Sequence, residues 1–223
     1  MRTVQVVVEA VCLSTPGVRV AKAPQDEAYI GPHGLVGDRH EAEFVRSRSG
    51  NVRPNDRQWS AVSREEIETL CADIGVAVFA PGSLGENLRL SGVALGEVPE
   101  GSVLELPGGA RLEVAGQNDP CLNAAHELSQ TYGPEVGLYF VKRAFGRRGV
   151  IGRVLVPGPV RVGDIGTLLI LEGEAQPLRQ AQDGALRQAQ DAASRQKTSV
   201  DDDVVAGLRR FRAGRARPGP AVA

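Results

Sequence analysis

The chain has 223 residues, 42% of them hydrophobic, so it can bury a sizeable core and is long enough for one domain with an appendage. Its formal charge is -1, so no global field draws it to nucleic acid or to an anionic membrane surface. Three widely spaced cysteines form neither a disulfide framework nor a CxxC pair, and no apolar run approaches the roughly 20 residues that span a bilayer; with no leader in MRTVQVVVEAVCLS, a cytoplasmic protein is expected.

From Val4 to Leu13 apolar residues alternate, so Val4, Val6, Val8, Ala10 and Cys12 are expected on one face of an opening strand. The stretch from Ser14 to Asn55 is rich in Gly, Pro and charge and reads as a long irregular connection. Ser63-Arg64-Glu65-Glu66 predicts a reciprocal capping box, then a short helix with Ile67, Leu70, Cys71 and Ile74 at helical spacing and Gly75 as its stop. Strand-like runs follow from Asn87 to Leu90, Val103 to Leu106, Arg111 to Val114, Val150 to Val156, at Val160, and from Thr167 to Leu171, with Gly108-Gly109 as a hairpin turn. Many short strands with few short helices predict a mainly β fold, barrel-like or a sandwich. Beyond about Glu172 the composition shifts to Gln, Ala, Asp and Arg, and LRQAQDGA is followed at once by LRQAQDAA. Two units are too few for a solenoid, so a domain over residues 1–172 and a helical or disordered repeat tail over 173–223 are expected.

Asp119-Pro120-Cys121 ahead of LNAAHELSQ predicts Asp119 as a helix N-cap, Pro120 at the first helical position and Cys121 in the first turn. There the helix dipole favours a thiolate, as a nucleophile or a metal-ligating sulfur requires. A small buried hydrophobe at a helix start is the alternative. Cys12 and Cys71 lie on apolar faces and read as core. In GLVGDRH, two glycines permit turns that bring Asp38, Arg39 and His40 toward an anion, or simply form a solvated turn; the spacing fits no nucleotide loop. PGSLGENL delivers Glu86 and Asn87 at the mouth of a strand, and Arg147-Arg148 precede another, where guanidiniums grip phosphate or pterin oxygen. His33 and His126 make no metal site by themselves.

Taken in order, GLVGDRHEAE, SLGENL, GQNDPC and RRGVIGRVLVPGPVRVGD resemble the MOSC family, named for the C-terminal domain of molybdenum-cofactor sulfurases, and the chain looks like a stand-alone bacterial-type member. The resemblance covers approximately residues 1–172. It implies a barrel-like β fold in which Cys121 carries sulfur or ligates molybdenum in a bound molybdenum cofactor (molybdopterin), with Gly37, Asp38, Arg39, His40, Glu86, Asn87 and Arg148 as cofactor-binding residues. Pyridoxal phosphate is associated with the family only at large, and this chain has no domain for it. Where many stand-alone relatives carry His-Gly-Gly, this chain has SGNVRPNDRQWSAVS, with Arg53, Asn55, Asp56 and Arg57.

Three functions follow. In the first, Cys121 accepts sulfur as a persulfide, and a separate cysteine desulfurase is the donor. In the second, Cys121 is a molybdenum ligand in a reductase component for N-hydroxylated compounds, and an external electron-transfer protein is the partner. In the third, the chain is a non-catalytic module that binds an anion or a partner protein. The C-terminal arginines add at most a weak nucleic-acid contact, because Asp201, Asp202 and Asp203 offset them.

Overall fold

The opening alternation folds into a long strand, β1 (Arg2–Ser14), in the computed structural model, which describes residues 1–47 and 49–172. The predicted tail over 173–223 lies outside the described residues. The Ser14 to Asn55 stretch, expected to be irregular, contains β2 (Lys22–Gln25), β3 (Glu27–Gly31), β4 (Gly34–Leu35), β5 (Phe44–Arg46) and β6 (Val52–Pro54). These strands are too short to show a period, and their partners are set by tertiary contacts. Then come β7 (Trp59–Ser63), α1 (Arg64–Ile74), β8 (Leu88–Ser91), a 3-10 turn at Leu95–Glu97, β9 (Val103–Glu105) and β10 (Arg111–Gln117). The helices α2 (Leu122–Tyr132) and α3 (Pro134–Arg143) lead into β11 (Val150–Val156), β12 (Gly158–Arg161) and β13 (Ile165–Ile170).

The main sheet runs β13-β9-β10-β11-β7-β8-β1, and β1 pairs back to β13, so seven strands close a barrel. Closure removes the open edges that would otherwise template aggregation. The length of β1 makes this possible: Arg2 to Val7 pair with β13, while Val11 to Ser14 pair with β2. On its other edge β1 meets β8, and there Glu9 is an extra residue between the Val8–Leu90 and Ala10–Arg89 pairs. Because one inserted residue reverses every side chain beyond it, the expected single face from Val4 to Cys12 is broken. Val6, Val8 and Val11 enter the barrel core, whereas Ala10 and Cys12 turn to the opposite side.

β7 and β8 pair in parallel, in contrast to the antiparallel neighbours around them. A parallel pair needs a crossover, and α1 supplies it. The helix buries Ile67, Leu70, Cys71 and Ile74 against Phe79, α2 and α3, forming a second core outside the barrel. Phe79 meets Tyr132 and Phe140 edge-on, with centroids 4.8 and 6.2 Å away. Half of the predicted capping box is present: the Ser63 hydroxyl accepts from the Glu66 amide at 3.2 Å. Glu66 does not reach back. Ser63 already belongs to β7, and the Glu66 carboxylate instead accepts from the Leu95 and Gly96 amides at 3.1 and 3.0 Å, tying α1 to the 3-10 turn. Gly75 ends α1 at φ 82°, and Gly109 (φ 90°) turns the β9–β10 hairpin as expected. No helix among the described residues is long and apolar enough to cross a membrane.

The seam between β11 and β7 tolerates no side chain at Gly149. Its φ is +76°, and a Cβ there would stand 1.8 Å from the Ala61 carbonyl oxygen. Gly149→Ala is expected to cost about 2–4 kcal/mol by denaturant unfolding. Gly163→Ala, with φ +89° and open space around it, should cost only about 1 kcal/mol. Equal losses would place the strain in φ alone and remove the seam contact.

Candidate functional site

Cys121 lies where β10 hands over to α2. The Asn118 amide donates to the Gly149 carbonyl at 2.8 Å, and the Asp119 carbonyl accepts from Arg148 Nη1. These bonds keep the connection extended through Cys121 (φ -132°, ψ 157°), so Cys121 itself is the N-cap and α2 begins at Leu122. Asp119 is therefore not the cap and Pro120 is not the first helical residue, contrary to the sequence expectation. The Cys121 side chain makes no capping bond, and the first intrahelical bond runs from the Ala125 amide to the Cys121 carbonyl at 3.1 Å. Cys121 is exposed, while Cys12 and Cys71 are buried. Burial and the Glu86 carboxylate push the Cys12 thiol up to about 12, and burial also raises Cys71.

Two guanidiniums flank the exposed thiol. Arg148 is 5% exposed; its Nη1 is 3.9 Å from Cys121 Sγ and its Nη2 donates to the Leu84 carbonyl at 3.3 Å. Its Nε is buried with no hydrogen-bond partner among the described residues. Arg57, half-buried, donates from Nη2 to Asn118 Oδ1 at 2.7 Å, and its amide donates to Asn55 Oδ1 at 3.0 Å. Burial and the neighbouring Arg148 lower the Arg57 pKa, while Cys121 and Asp119 act in the opposite sense. Arg147 turns away and pairs with Asp73, so the Arg147-Arg148 doublet divides between surface and site. Arg57 was visible in the sequence only as a departure from relatives, because its partner Asn118 is 61 residues away.

The other predicted residues are engaged in hydrogen bonds within the fold. The Asp38 carboxylate is fully buried and binds Lys22 Nζ at 2.9–3.0 Å, the Ser14 amide and hydroxyl at 3.1 and 2.9 Å, and the His40 amide and Nδ1 at 3.0 and 3.2 Å. Burial alone would raise its pKa, but the His40 bonds and the Lys22 charge outweigh it and hold the carboxyl well below the usual carboxylate range. Gly37, at φ 82°, donates its amide to Glu41 at 2.8 Å. Arg39 does not join its neighbours toward a common anion. Its guanidinium donates to the carbonyls of Val18, Arg19, Val20 and Ala21 and holds that loop. Glu86 accepts from the Gly82 and Leu84 amides at 2.8 and 3.0 Å and from Arg89 at 3.1 Å, shaping the loop that offers the Leu84 carbonyl to Arg148. Asn87 joins Ser60 of β7 to the Cys12 carbonyl of β1. Glu86 and Asn87 are thus buried scaffold beneath the site.

No group of three or more His, Cys, Asp and Glu side chains able to hold a metal ion occurs among the described residues. His126 is exposed, and its imidazole meets Gln130 at 3.2 Å. A cleft of about 400 Å³ lies beside the loop that carries Leu84, between residues 17–21 and α2, with Arg19, Ser83, Glu127 and Tyr132 in its lining.

The MOSC domain profile matches residues 38–165. YuaD of Bacillus subtilis (strain 168), described as belonging to metal-sulfur cluster biosynthesis, is 38% identical over 113 residues, a stretch that spans 49% of this chain and 59% of that relative. The crystal structure of Bacillus subtilis YuaD superposes with a TM-score of 0.73 at 28% identity, covering 77% of this chain and 99% of that one. YiiM from Geobacillus stearothermophilus (TM-score 0.54, 19% identity, 75% of each chain) and YiiM from Escherichia coli (0.52, 18%, 77% of this chain and 73% of that one) share the fold.

Two outcomes follow from this geometry. A thiol reagent should modify one cysteine rapidly in the native protein and all three after unfolding, with the fast phase absent in Cys121→Ser. Comparable native labelling of Cys12 or Cys71 would contradict their burial. Lys22→Met leaves Asp38 as an uncompensated buried charge and should cost about 3–5 kcal/mol near neutral pH. The deficit should shrink in acid, because the Asp38–Lys22 stabilisation is full above the usual carboxylate pKa and is lost progressively as the pH falls from there towards the depressed pKa of folded Asp38.

Proposed function

We propose, from the premise that this chain belongs to the MOSC domain family, that it carries sulfur as a persulfide on Cys121. The observation that supports this most is an exposed thiol set against a buried guanidinium, with Arg148 Nη1 3.9 Å from Sγ. Attack of Cys121 on the outer sulfur of a donor persulfide forms a Cys121 S–S bond, breaks the donor's S–S bond and leaves the donor as a thiol. The reaction is neutral in redox terms and needs no electron carrier. Arg148 and Arg57 hold the positive charge that an anionic persulfide needs at this mouth. Sulfur then passes to an acceptor by the same exchange. A cysteine desulfurase is the donor class, and the description of YuaD as a metal-sulfur cluster biosynthesis protein is in keeping with such a role.

A second reading is favoured by one specific feature, the buried and unpartnered Nε of Arg148. A donor left unsatisfied beside a thiol suits an anionic molybdenum cofactor, with Arg148 and Arg57 on its phosphate or pterin oxygens and Cys121 as a soft ligand. When bound, that group would supply two-electron oxygen-atom chemistry, for example reduction of N-hydroxylated compounds with an external electron donor. The residues of this chain would bind and orient it.

The purified protein, incubated with a cysteine desulfurase and cysteine, is expected to gain the mass of one sulfur atom, and Cys121→Ser is expected to gain none. Molybdenum and pterin retained by the wild type and lost in Cys121→Ser would move the conclusion to the second reading. No sulfur and no metal, with Cys121 alkylating no faster than in unfolded protein, would overturn both.

A further inference from the structure

Arg148 and Arg57 bring two positive charges to one exposed thiol, and no salt bridge among the described residues neutralises either. A guanidinium has five N–H donors. Those of Arg148 meet the carbonyls of Asp119 and Leu84 and, at 3.9 Å, the Cys121 sulfur, while its Nε makes no hydrogen bond although the residue is only 5% exposed. Arg57 is less buried. Its Nη2 holds Asn118 Oδ1 at 2.7 Å, and its Nε and Nη1 make no hydrogen bond among the described residues.

The two guanidiniums grip one short segment, Asn118 and Asp119, which leads straight into Cys121, and the charges of Arg148 and Cys121 both act on Arg57. Asp119 and Glu86, the acids that act on the pair, touch neither guanidinium among the described residues. No side chain caps α2, so the positive end of the helix faces the same mouth. A persulfide donor leaves as a thiolate, a single charge on a soft sulfur. Two planar forks with donors to spare suit a different partner, an oxyanion of higher charge.

We infer that the site also takes sulfur from thiosulfate, a small dianion, with its outer sulfur at Cys121 beside Arg148 and its sulfonate oxygens on Arg57. This rests on the persulfide reading above and adds a second class of donor to it. The Cys121 thiolate attacks the outer sulfur, a Sγ–S bond forms, the S–S bond of thiosulfate breaks, and sulfite leaves with that bonding pair. The thiolate charge passes to the new persulfide and sulfite carries the charge of the dianion away, so no proton, oxidant or reductant is consumed. Attack runs along the S–S axis, which puts the sulfonate beyond the transferred sulfur. Arg148, beside Sγ, stays with the sulfur that is kept, and Arg57, the less buried fork, holds the oxygens that depart.

Purified protein incubated with thiosulfate should gain the mass of one sulfur atom and release sulfite in equal amount, and with cyanide as acceptor it should turn over to thiocyanate. Cys121→Ser should do neither. At fixed ionic strength, sulfate, which has the oxygens but no sulfur to transfer, should compete with thiosulfate. Arg57→Gln should raise the KM for thiosulfate about 10–10²-fold with the melting temperature held, and Arg57→Lys, which keeps the charge without the fork, should raise it less. Sulfur gained from a cysteine desulfurase and cysteine but not from thiosulfate would overturn the inference and leave the persulfide reading standing. Sulfur gained from neither would end both. Thiosulfate turnover indifferent to sulfate, or with KM unchanged in folded Arg57→Gln, would overturn the seat assigned to the sulfonate.

Discussion

The site depends on a positive charge taken out of water without a carboxylate in direct contact. Arg148 is almost fully buried, and its donors go to the carbonyls of Asp119 and Leu84. Carbonyl dipoles offset only part of the desolvation of a guanidinium, and Glu86, which acts on it from a distance, is itself engaged with Arg89. The remainder is an unmet demand for negative charge at the position where the Cys121 sulfur emerges. The same bonds hold together three segments that are remote in sequence: the end of β10, the loop after α1 and the start of β11. Chemistry and local architecture therefore rest on one side chain.

The barrel explains why that side chain is held so firmly. Two cores meet at the site, one inside the barrel and one among the three helices, and the strands β10, β11 and β7 end at the boundary between them. Along this boundary the backbone is locked by polar side chains with little or no exposure. Asn87 links β7 to β1, Glu86 organises the loop above β8, and Asp38 ties the entrance loop to Ser14 and Lys22. Networks of this kind resist partial opening, because each member left unsatisfied incurs a desolvation penalty. Rigid walls around one exposed sulfur follow from the same residues that the sequence presents as motifs.

How much was legible depended on whether a signal was local. The Gly108-Gly109 hairpin, the β11 run and the stop at Gly75 are written in neighbouring residues, and all three appear. β7 carries no alternation because both of its faces are buried, so it did not read as a strand. α3 was not among the predicted elements; Gly137 in its middle breaks the apolar pattern, and a Cβ there would stand in ordinary contact with Ser129 of α2 at 3.5 Å. The extra residue at Glu9 leaves no mark in the alternation of β1 and becomes evident only against β8. At the site, the Asp-Pro-Cys pattern and motif order single out Cys121, and motif order adds Arg148; the structure sets the two 3.9 Å apart. The role of Arg57 and the division of labour among Asp38, Arg39 and His40 are not legible in the sequence, since most of their partners lie 15 or more residues away, the Asp38–His40 and Arg57–Asn55 contacts apart.

The position of Cys121 carries a last consequence. Serine, threonine, aspartate or asparagine at an N-cap accepts a backbone amide and stabilises a helix by about 1 kcal/mol relative to alanine. Cysteine here makes no such bond, and α2 has no acidic residue in its first turn. The helix forgoes a cap and leaves its first amides without a side-chain acceptor. The Arg148 guanidinium lies 3.9 Å from the Cys121 sulfur, at a helix start whose first amides no side chain caps, so on the persulfide reading a negative charge there would meet the positive end of α2 as well as Arg148. On the persulfide reading proposed above, local stability and sulfur chemistry compete for this one position, and a cysteine there gives up the cap for the chemistry.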